Sequence, residues 1–399
     1  MRRSSPDREE RTVARTPKTP STGSGVVLDL IRRGEATTRS ELIDRLGWSR
    51  VTLARRLDDL LEAGFIVSAG QLSSSGGRPP EEFAVDASAG VILSIDIGGS
   101  HTRVGVTDLV STVLSEDEAD IGLHDGPDEI FSWAIQVFDF LLADLGRSRS
   151  DVRAIGIGVP GPVDAVTGRL GSPQLDPRWE EVRVDDYFGG FDAVFAVDRD
   201  VNILAVGESR LSWPEYSHLT VVKVGMGVGC AFVLDGHVYR GARGGAGQLS
   251  APRHDGGPLH RLELEASGAT IRRALREQGR DIATSADIVA AARAHDPVVL
   301  AQLERIGTRI GEALADVVGL LNPQAVIIGG NLAETGERLV AGIRSALLTG
   351  THDFSRRGLV VERARLGDKA GVRGASLMAQ DALFDIGRVS AATSRRPLG

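Results

Sequence analysis

The sequence predicts an α/β protein in two parts, a small helical module with a β-wing and a larger domain built twice on one plan. Three observations predict this. Residues 25–63 hold three short stretches with helical spacing of apolar side chains, separated by glycine-bearing breaks. From about residue 89 onward, short β-rich runs alternate with helices, the rhythm of α/β folds. Within this second part a strand, a glycine turn and another strand occur twice, at Val91–Val106 and again at Thr220–Leu234.

The chain has 399 residues, enough for two or three domains at roughly 100–200 residues each. Hydrophobic residues make up 42%, which suits a sizeable core. No apolar run reaches the about 18 residues of a membrane-spanning helix. The start, Met1-Arg2-Arg3-Ser4-Ser5-Pro6, leads into no apolar signal segment. A single cysteine, Cys230, rules out an intramolecular disulfide framework and fits a reducing compartment, so the cytoplasm is the expected location. The net charge of −8 argues against a nucleic-acid-coating protein. Residues 1–88 nevertheless carry 14 Arg and Lys against 13 Asp and Glu, so the acidic excess lies elsewhere. Lys18, Lys223 and Lys369 are the only lysines, a bias read as base composition.

Residues 1–24 mix Arg, Ser, Thr, Pro and Gly and are expected to be a flexible arm. Residues 25–88 form the small module, residues 89–388 the large domain, and residues 389–399 a flexible tail. In the module, Val26, Val27, Leu30 and Ile31 make a helical stripe that stops at Gly34. Leu42, Ile43 and Leu46 make a second, entered near Thr38 and ended by Gly47. Ser49 is a natural N-cap for a third helix carrying Leu53, Leu57, Leu60 and Leu61. The break Gly47-Trp48-Ser49 is the tight turn of a helix-turn-helix. The third helix presents Arg50, Thr52, Arg55 and Arg56 near its start, where a recognition helix meets base edges. Phe65-Ile66-Val67 and Phe83-Ala84-Val85 are read as strands of a wing around Ser73-Ser74-Ser75-Gly76-Gly77-Arg78-Pro79-Pro80. Arg78 at its tip is placed for the minor groove or a phosphate. Ser49, Arg50, Thr52, Arg55, Arg56 and Arg78 are therefore the candidate DNA contacts, and operator DNA the expected partner. The bland alternative is a three-helix interaction module with solvated arginines.

In the large domain, glycines after a strand suggest a dinucleotide fold, but that fold needs a helix next. A strand follows both times, so it is rejected. Two glycine hairpins in successive halves resemble the actin/hexokinase-like (ribonuclease H-like) architecture, a duplicated two-lobed domain closing on a nucleotide. Bare glycines let backbone N–H groups approach phosphate. The resemblance puts Asp96, Gly98, Gly99, Ser100, Gly225, Gly227 and Gly229 at the phosphates, if nucleotide binding is retained.

Ala154-Ile155-Gly156-Ile157-Gly158-Val159-Pro160-Gly161-Pro162-Val163-Asp164 resembles the signature of the ROK family (repressor, open reading frame, kinase). Asn322-Pro323-Gln324-Ala325-Val326-Ile327-Ile328-Gly329-Gly330 is similar to the family's late strand near the adenine, and Gly374-Ala375 to the start of its closing helix. The resemblance runs from about residue 25 to 388, because the family's repressors carry a winged helix-turn-helix first. It implies that Asp200, in Asp198-Arg199-Asp200-Val201-Asn202, matches the general base of the kinases, vestigial or residual here. The kinases have asparagine where Arg199 stands; this cation is expected to weaken Asp200 as a base and to crowd the sugar pocket. Gln248 replaces the family's sugar-binding glutamate, and Ala251 its zinc-ligating histidine. The family's zinc cysteines are missing from Arg253–Arg261, so no metal site is expected there, and His254 and His260 are read as surface histidines. Glu263 matches the Leu-Glu after that cluster. Met226 replaces a hairpin threonine, and Gln174 an asparagine. Gln174, Arg199, Asp200, Asn202, Gln248 and Glu263 are the candidate ligand residues.

The resemblance thus implies a regulator of carbohydrate genes, a homodimer or higher oligomer acting on DNA at the nucleoid, switched by a sugar or phosphosugar. It requires no cofactor. The alternatives are an active sugar kinase using Mg-ATP, and a regulator whose large domain only makes protein contacts.

Overall fold

The computed structural model describes residues 23–71, 80–164, 167–170, 177–180, 182–251 and 260–394. It divides into two compact units: the chain up to Asp86 together with Phe384 onward, and Ala87–Leu383.

In the first unit α1 (Ser24–Arg32), α2 (Arg39–Leu46) and α3 (Arg50–Glu62) follow one another. A reciprocal capping box starts α2. The Thr38 hydroxyl accepts from the Glu41 N–H at 3.3 Å, and the Glu41 carboxylate accepts from the Thr38 N–H at 2.9 Å. The Thr37 and Thr38 N–H groups hold the Glu41 carboxyl below its ordinary range. Gly47 closes α2 in the left-handed region at φ 68. Ser49 then caps α3, accepting from the Thr52 N–H at 3.1 Å. The turn is as tight as the spacing predicts. β1 (Ile66–Gln71) and β2 (Glu81–Val85) pair antiparallel, Ile66 against Val85 and Ser68 against Phe83. Val27, Leu28, Leu42, Leu53, Leu57 and Phe83 are buried in this unit's core. The stripe on α1 needs correction: Val26 and Leu30 are only half-buried, while Leu28 is fully enclosed.

The second unit repeats one sheet plan. β3 (Val91–Ile97), β4 (Thr102–Asp108) and β5 (Val113–Ala119) form an antiparallel meander. After α4 (Pro127–Asp144), β6 (Val152–Val159) and β7 (Val194–Arg199) add in parallel, giving the order β5-β4-β3-β6-β7. α5 (Asp200–Leu211) leads to the second copy. β8 (Leu219–Val224), β9 (Val228–Leu234) and β10 (His237–Tyr239) are again an antiparallel meander. A two-stranded excursion, β11 (Ser250–Ala251) with β12 (His260–Arg261), and helices α6 (Gly268–Arg276), α7 (Ser285–Arg293) and α8 (Pro297–Leu321) intervene. β13 (Ala325–Gly329) follows, then α9 (Glu337–Gly350), α10 (Asp353–Arg356) and β14 (Val360–Arg363), in the order β10-β9-β8-β13-β14.

α11 (Ala370–Leu383) closes the second unit, starting four residues before the predicted Gly374. Gly374 sits mid-helix because α11 crosses α5 there, and a Cβ on it would collide with the Ile203 carbonyl. Strand alternation then decides which side chains reach the site. Val91, Leu93, Ile95 and Ile97 of β3 join the core with Phe131 and Phe138 of α4. The alternate residues Ser94 and Asp96 face α11, where a Cβ on Gly371 would strike the Asp96 carboxylate. On β8, Val222 and Val224 enter the core with α8 and α9. Val221 packs with Val201 and Leu204 of α5, and the same alternation turns Lys223 toward the start of α5.

The expected flexible tail is corrected in part. α12 (Ile386–Ser394) belongs to the first unit and packs along α1. The Gly25 N–H donates to the Ser390 hydroxyl at 3.2 Å, and a Cβ on Gly25 would collide with the Ile386 carbonyl. This second cover on α1 explains the altered stripe.

Candidate functional site

The second unit holds a cavity of about 720 Å³ to which both glycine hairpins contribute. Gly98, Gly99 and Ser100 reach it from the β3–β4 turn, and Gly225, Gly227 and Gly229 from the β8–β9 turn. Gly329 and Gly330 line it at the end of β13. Gly330 has φ 86, and a Cβ on it would stand 2.5 Å from the Val224 carbonyl, so only glycine lets β13 leave so close to β8. Asp96, Arg199, Asp200, Gln248 and Glu263 also line the cavity.

Its centre is an ion bridge that the sequence did not announce. Lys223 Nζ lies 3.0 Å from Asp200 Oδ2 and 3.4 Å from Asp96 Oδ1. Burial alone would depress the Lys223 ammonium, yet the Asp200 and Asp96 carboxylates outweigh it and hold the group above the usual lysine range. Asp96 also rests on the first turn of α11, whose helix dipole favours a negative charge there. Buried Glu208 fixes the approach to that turn. Its carboxylate accepts from the Trp213 indole at 3.1 Å and from the Arg365 and Leu366 N–H groups at 3.1 and 2.7 Å. His101 completes the cluster, pushed below its ordinary range mainly by burial, with Asp96 opposing and Lys223 reinforcing the shift. The hairpin tips meet as well: a Cβ on Gly99 would stand 3.4 Å from the Met226 Cβ.

Two expectations are corrected here. The cation facing Asp200 is Lys223, not Arg199. Arg199 turns away, and its Nη1 donates to the Ala246 and Cys230 carbonyls at 2.5 and 3.3 Å. Asn202 does not line the cavity. It is 2% exposed on α5, and its amide donates to Asp198 Oδ1 at 2.6 Å, bracing a carboxylate that Arg240 also holds at 2.7 Å. Glu263 is paired with Arg261. Gln248 stands exposed at the cavity wall. Gln174 and His254 lie outside the described residues.

On the first unit's third helix, Arg50, Thr52 and Arg55 are exposed. The Ser49 hydroxyl is engaged as the cap and lies 2.9 Å from the Thr52 hydroxyl. Arg56 is less available than expected: it is half-buried, 3.5 Å from Asp59 one turn on. Sequence reading passed over Val51, which is 80% exposed between Arg50 and Thr52. An apolar residue off the leucine face, inside a run of exposed polar ones, was the available signal. Arg78 lies outside the described residues.

The model of the ROK family matches residues 92–382. The chain belongs to the ROK family. Among its ROK relatives, a putative xylose repressor of Caldicellulosiruptor sp. (strain Rt8B.4) is 26% identical over 379 residues, spanning 88% of this chain and 94% of its own length. A solved ROK family transcriptional regulator, a homologue of the E. coli MLC protein, shares the fold with a TM-score of 0.73 at 22% identity. It covers 93% of this chain and 97% of its own. A ROK family glucokinase from Streptomyces griseus, solved with glucose and AMPPNP, has a TM-score of 0.60 at 25% identity. It covers 73% of this chain and 100% of its own. The regulator is thus matched across nearly the whole chain, and the glucokinase over a smaller share.

Proposed function

We propose that this ROK protein is a DNA-binding transcriptional repressor of carbohydrate-metabolism genes, with a sugar or phosphosugar effector in its kinase-like cleft. The observation that carries this reading over phosphoryl transfer is the Asp96–Lys223–Asp200 bridge. A general base needs a carboxylate free to take the hydroxyl proton, and transfer needs cations aimed at the phosphate. Here one ammonium holds both carboxylates that the kinase plan would use, and Met226 stands against Gly99 between the hairpin tips. These residues do not fit a magnesium–nucleotide complex, and no step through one follows.

In this reading Arg50, Thr52 and Arg55 meet base edges, and Val51 offers an apolar contact for a thymine methyl. Arg78 serves the wing. Arg199, Gln248 and Glu263, with Gln174, receive the effector. Effector and operator favour different conformations of one chain, so each weakens the other by the same factor. Helix-turn-helix readers bind paired half-sites, which calls for a homodimer or larger assembly in the cytoplasm. No cofactor is needed.

The test is binding of the full chain to DNA from its own upstream region at fixed salt, with and without a sugar and phosphosugar panel. A specific complex that one sugar weakens is the expected result. No sequence preference at any salt, together with ATP turnover on a hexose, overturns the reading and makes the chain a kinase.

A further inference from the structure

The cleft treats its cations unequally. Lys223 is matched by Asp96 and Asp200, Arg261 by Glu263, and Arg103 by Glu118 and Asp368. Arg272 is only half-buried and donates to the Ala283 carbonyl. Arg199 alone among the described cavity-lining residues is a buried cation with no carboxylate partner, at 4% exposure. Its Nη1 is spent on two neutral carbonyls, and its Nε is enclosed with no acceptor. Its Nη2 makes no hydrogen bond and is not fully enclosed, and Arg199 is one of the residues that line the cavity.

A guanidinium taken out of water without a counter-charge is costly, and protein interiors normally pair it. Lys223 has a resident partner for its charge; Arg199 has none. The side chain is also held in place. Nη1 is fixed by carbonyls from two segments, and Gly247 lets its loop close on them: a Cβ there would lie 3.2 Å from Nη1 and collide with the Cys230 carbonyl. A fixed, desolvated guanidinium open on one side is a receptor for an oxyanion.

We propose that the effector is an anionic sugar, a phosphate ester or a sugar acid, and that Arg199 Nη2 receives its oxyanion. This rests on the sugar-effector reading above and narrows it. The neutral carbonyls that hold Nη1 leave the positive charge for the ligand to balance. A neutral sugar leaves that charge buried and unmatched.

The test is calorimetric titration and thermal shift on the full chain with matched sets: glucose, glucose 6-phosphate and gluconate; xylose and xylonate. One anionic compound should bind about ten-fold or more tightly than its neutral parent, and rising salt should erode the difference. The phosphate and carboxylate arms decide which oxyanion it is. Arg199→Asn, which restores the residue found in the family's kinases, should abolish the preference. Arg199→Lys keeps the charge on a different donor and should retain a reduced preference; it serves as the second variant if the first fails to fold. A neutral parent that binds wild type as tightly as its anionic partner overturns this proposal alone, as does a preference that survives in Arg199→Asn. If no sugar of either kind shifts the melting temperature, the sugar-effector reading falls, and this proposal with it.

Discussion

Lys223 and Arg199 reach one cavity from neighbouring segments, Arg199 at the end of β7 and Lys223 within β8. Lys223 sits between two carboxylates. Arg199 is more deeply enclosed and has only carbonyl oxygens for company. The difference separates two uses of a buried positive charge. One is neutralised by the protein and ties lobe elements together; the other is left for something that arrives.

The sharpest way to break this comparison is to remove the matched cation. Lys223→Met leaves Asp96 and Asp200 without their shared partner, and should cost about 3 kcal/mol, the lower end for a broken buried pair because all three side chains keep some solvent contact. Urea unfolding measures it, and adding Asp96→Asn and Asp200→Asn should recover part of the loss. A wild-type midpoint for the single variant would mean that the bridge is not holding the site. Arg199→Met should behave differently. It loses two hydrogen bonds to carbonyls but also a charge nothing balances, so the free protein should stay within about 1 kcal/mol of wild type. A loss as large as that of Lys223→Met would erase the distinction.

The smallest effect is acidic. Burial keeps the folded His101 imidazole below its ordinary 6.5, so the unfolded chain takes up a proton first as pH falls. The His101 contribution is therefore complete above about pH 6.5 and declines below it. His101→Gln should flatten part of the fall in melting temperature between pH 7 and pH 5. An unchanged slope would mean that burial does not hold the folded His101 imidazole below its ordinary range.

Much of the fold was legible because its signals are local. Thr38, Gly47 and Ser49 marked the turn between α2 and α3, and each acts where the sequence put it. The two hairpins were equally plain, since glycines between β-rich runs need no tertiary context. What escaped depends on distant partners. Lys223 and Asp96 are 127 residues apart, so nothing in the local pattern distinguished this lysine from base composition. Asn202 belongs to the family's motif, but its position in α5 turns it to Asp198 and not to the cavity. Arg199 stands where the family's kinases have asparagine, and its direction is set by the Cys230 and Ala246 carbonyls. α12 escaped for another reason. Val389 is its one fully buried apolar residue, so the segment reads as a polar tail unless α1 is known to lie beside it.

The contact between Gly25 and Ser390 spans 365 residues. In order of synthesis, the first unit begins the chain and is the last to be finished, because its closing helix emerges only after all of Ala87–Leu383. A chain broken off anywhere in the sensing domain lacks the helix that covers α1. Loop closure over so long an interval is slow when it must wait for the intervening segment to fold. The arrangement therefore ties completion of the first unit to completion of the second, and a truncated product is left with α1 lacking the cover of α12.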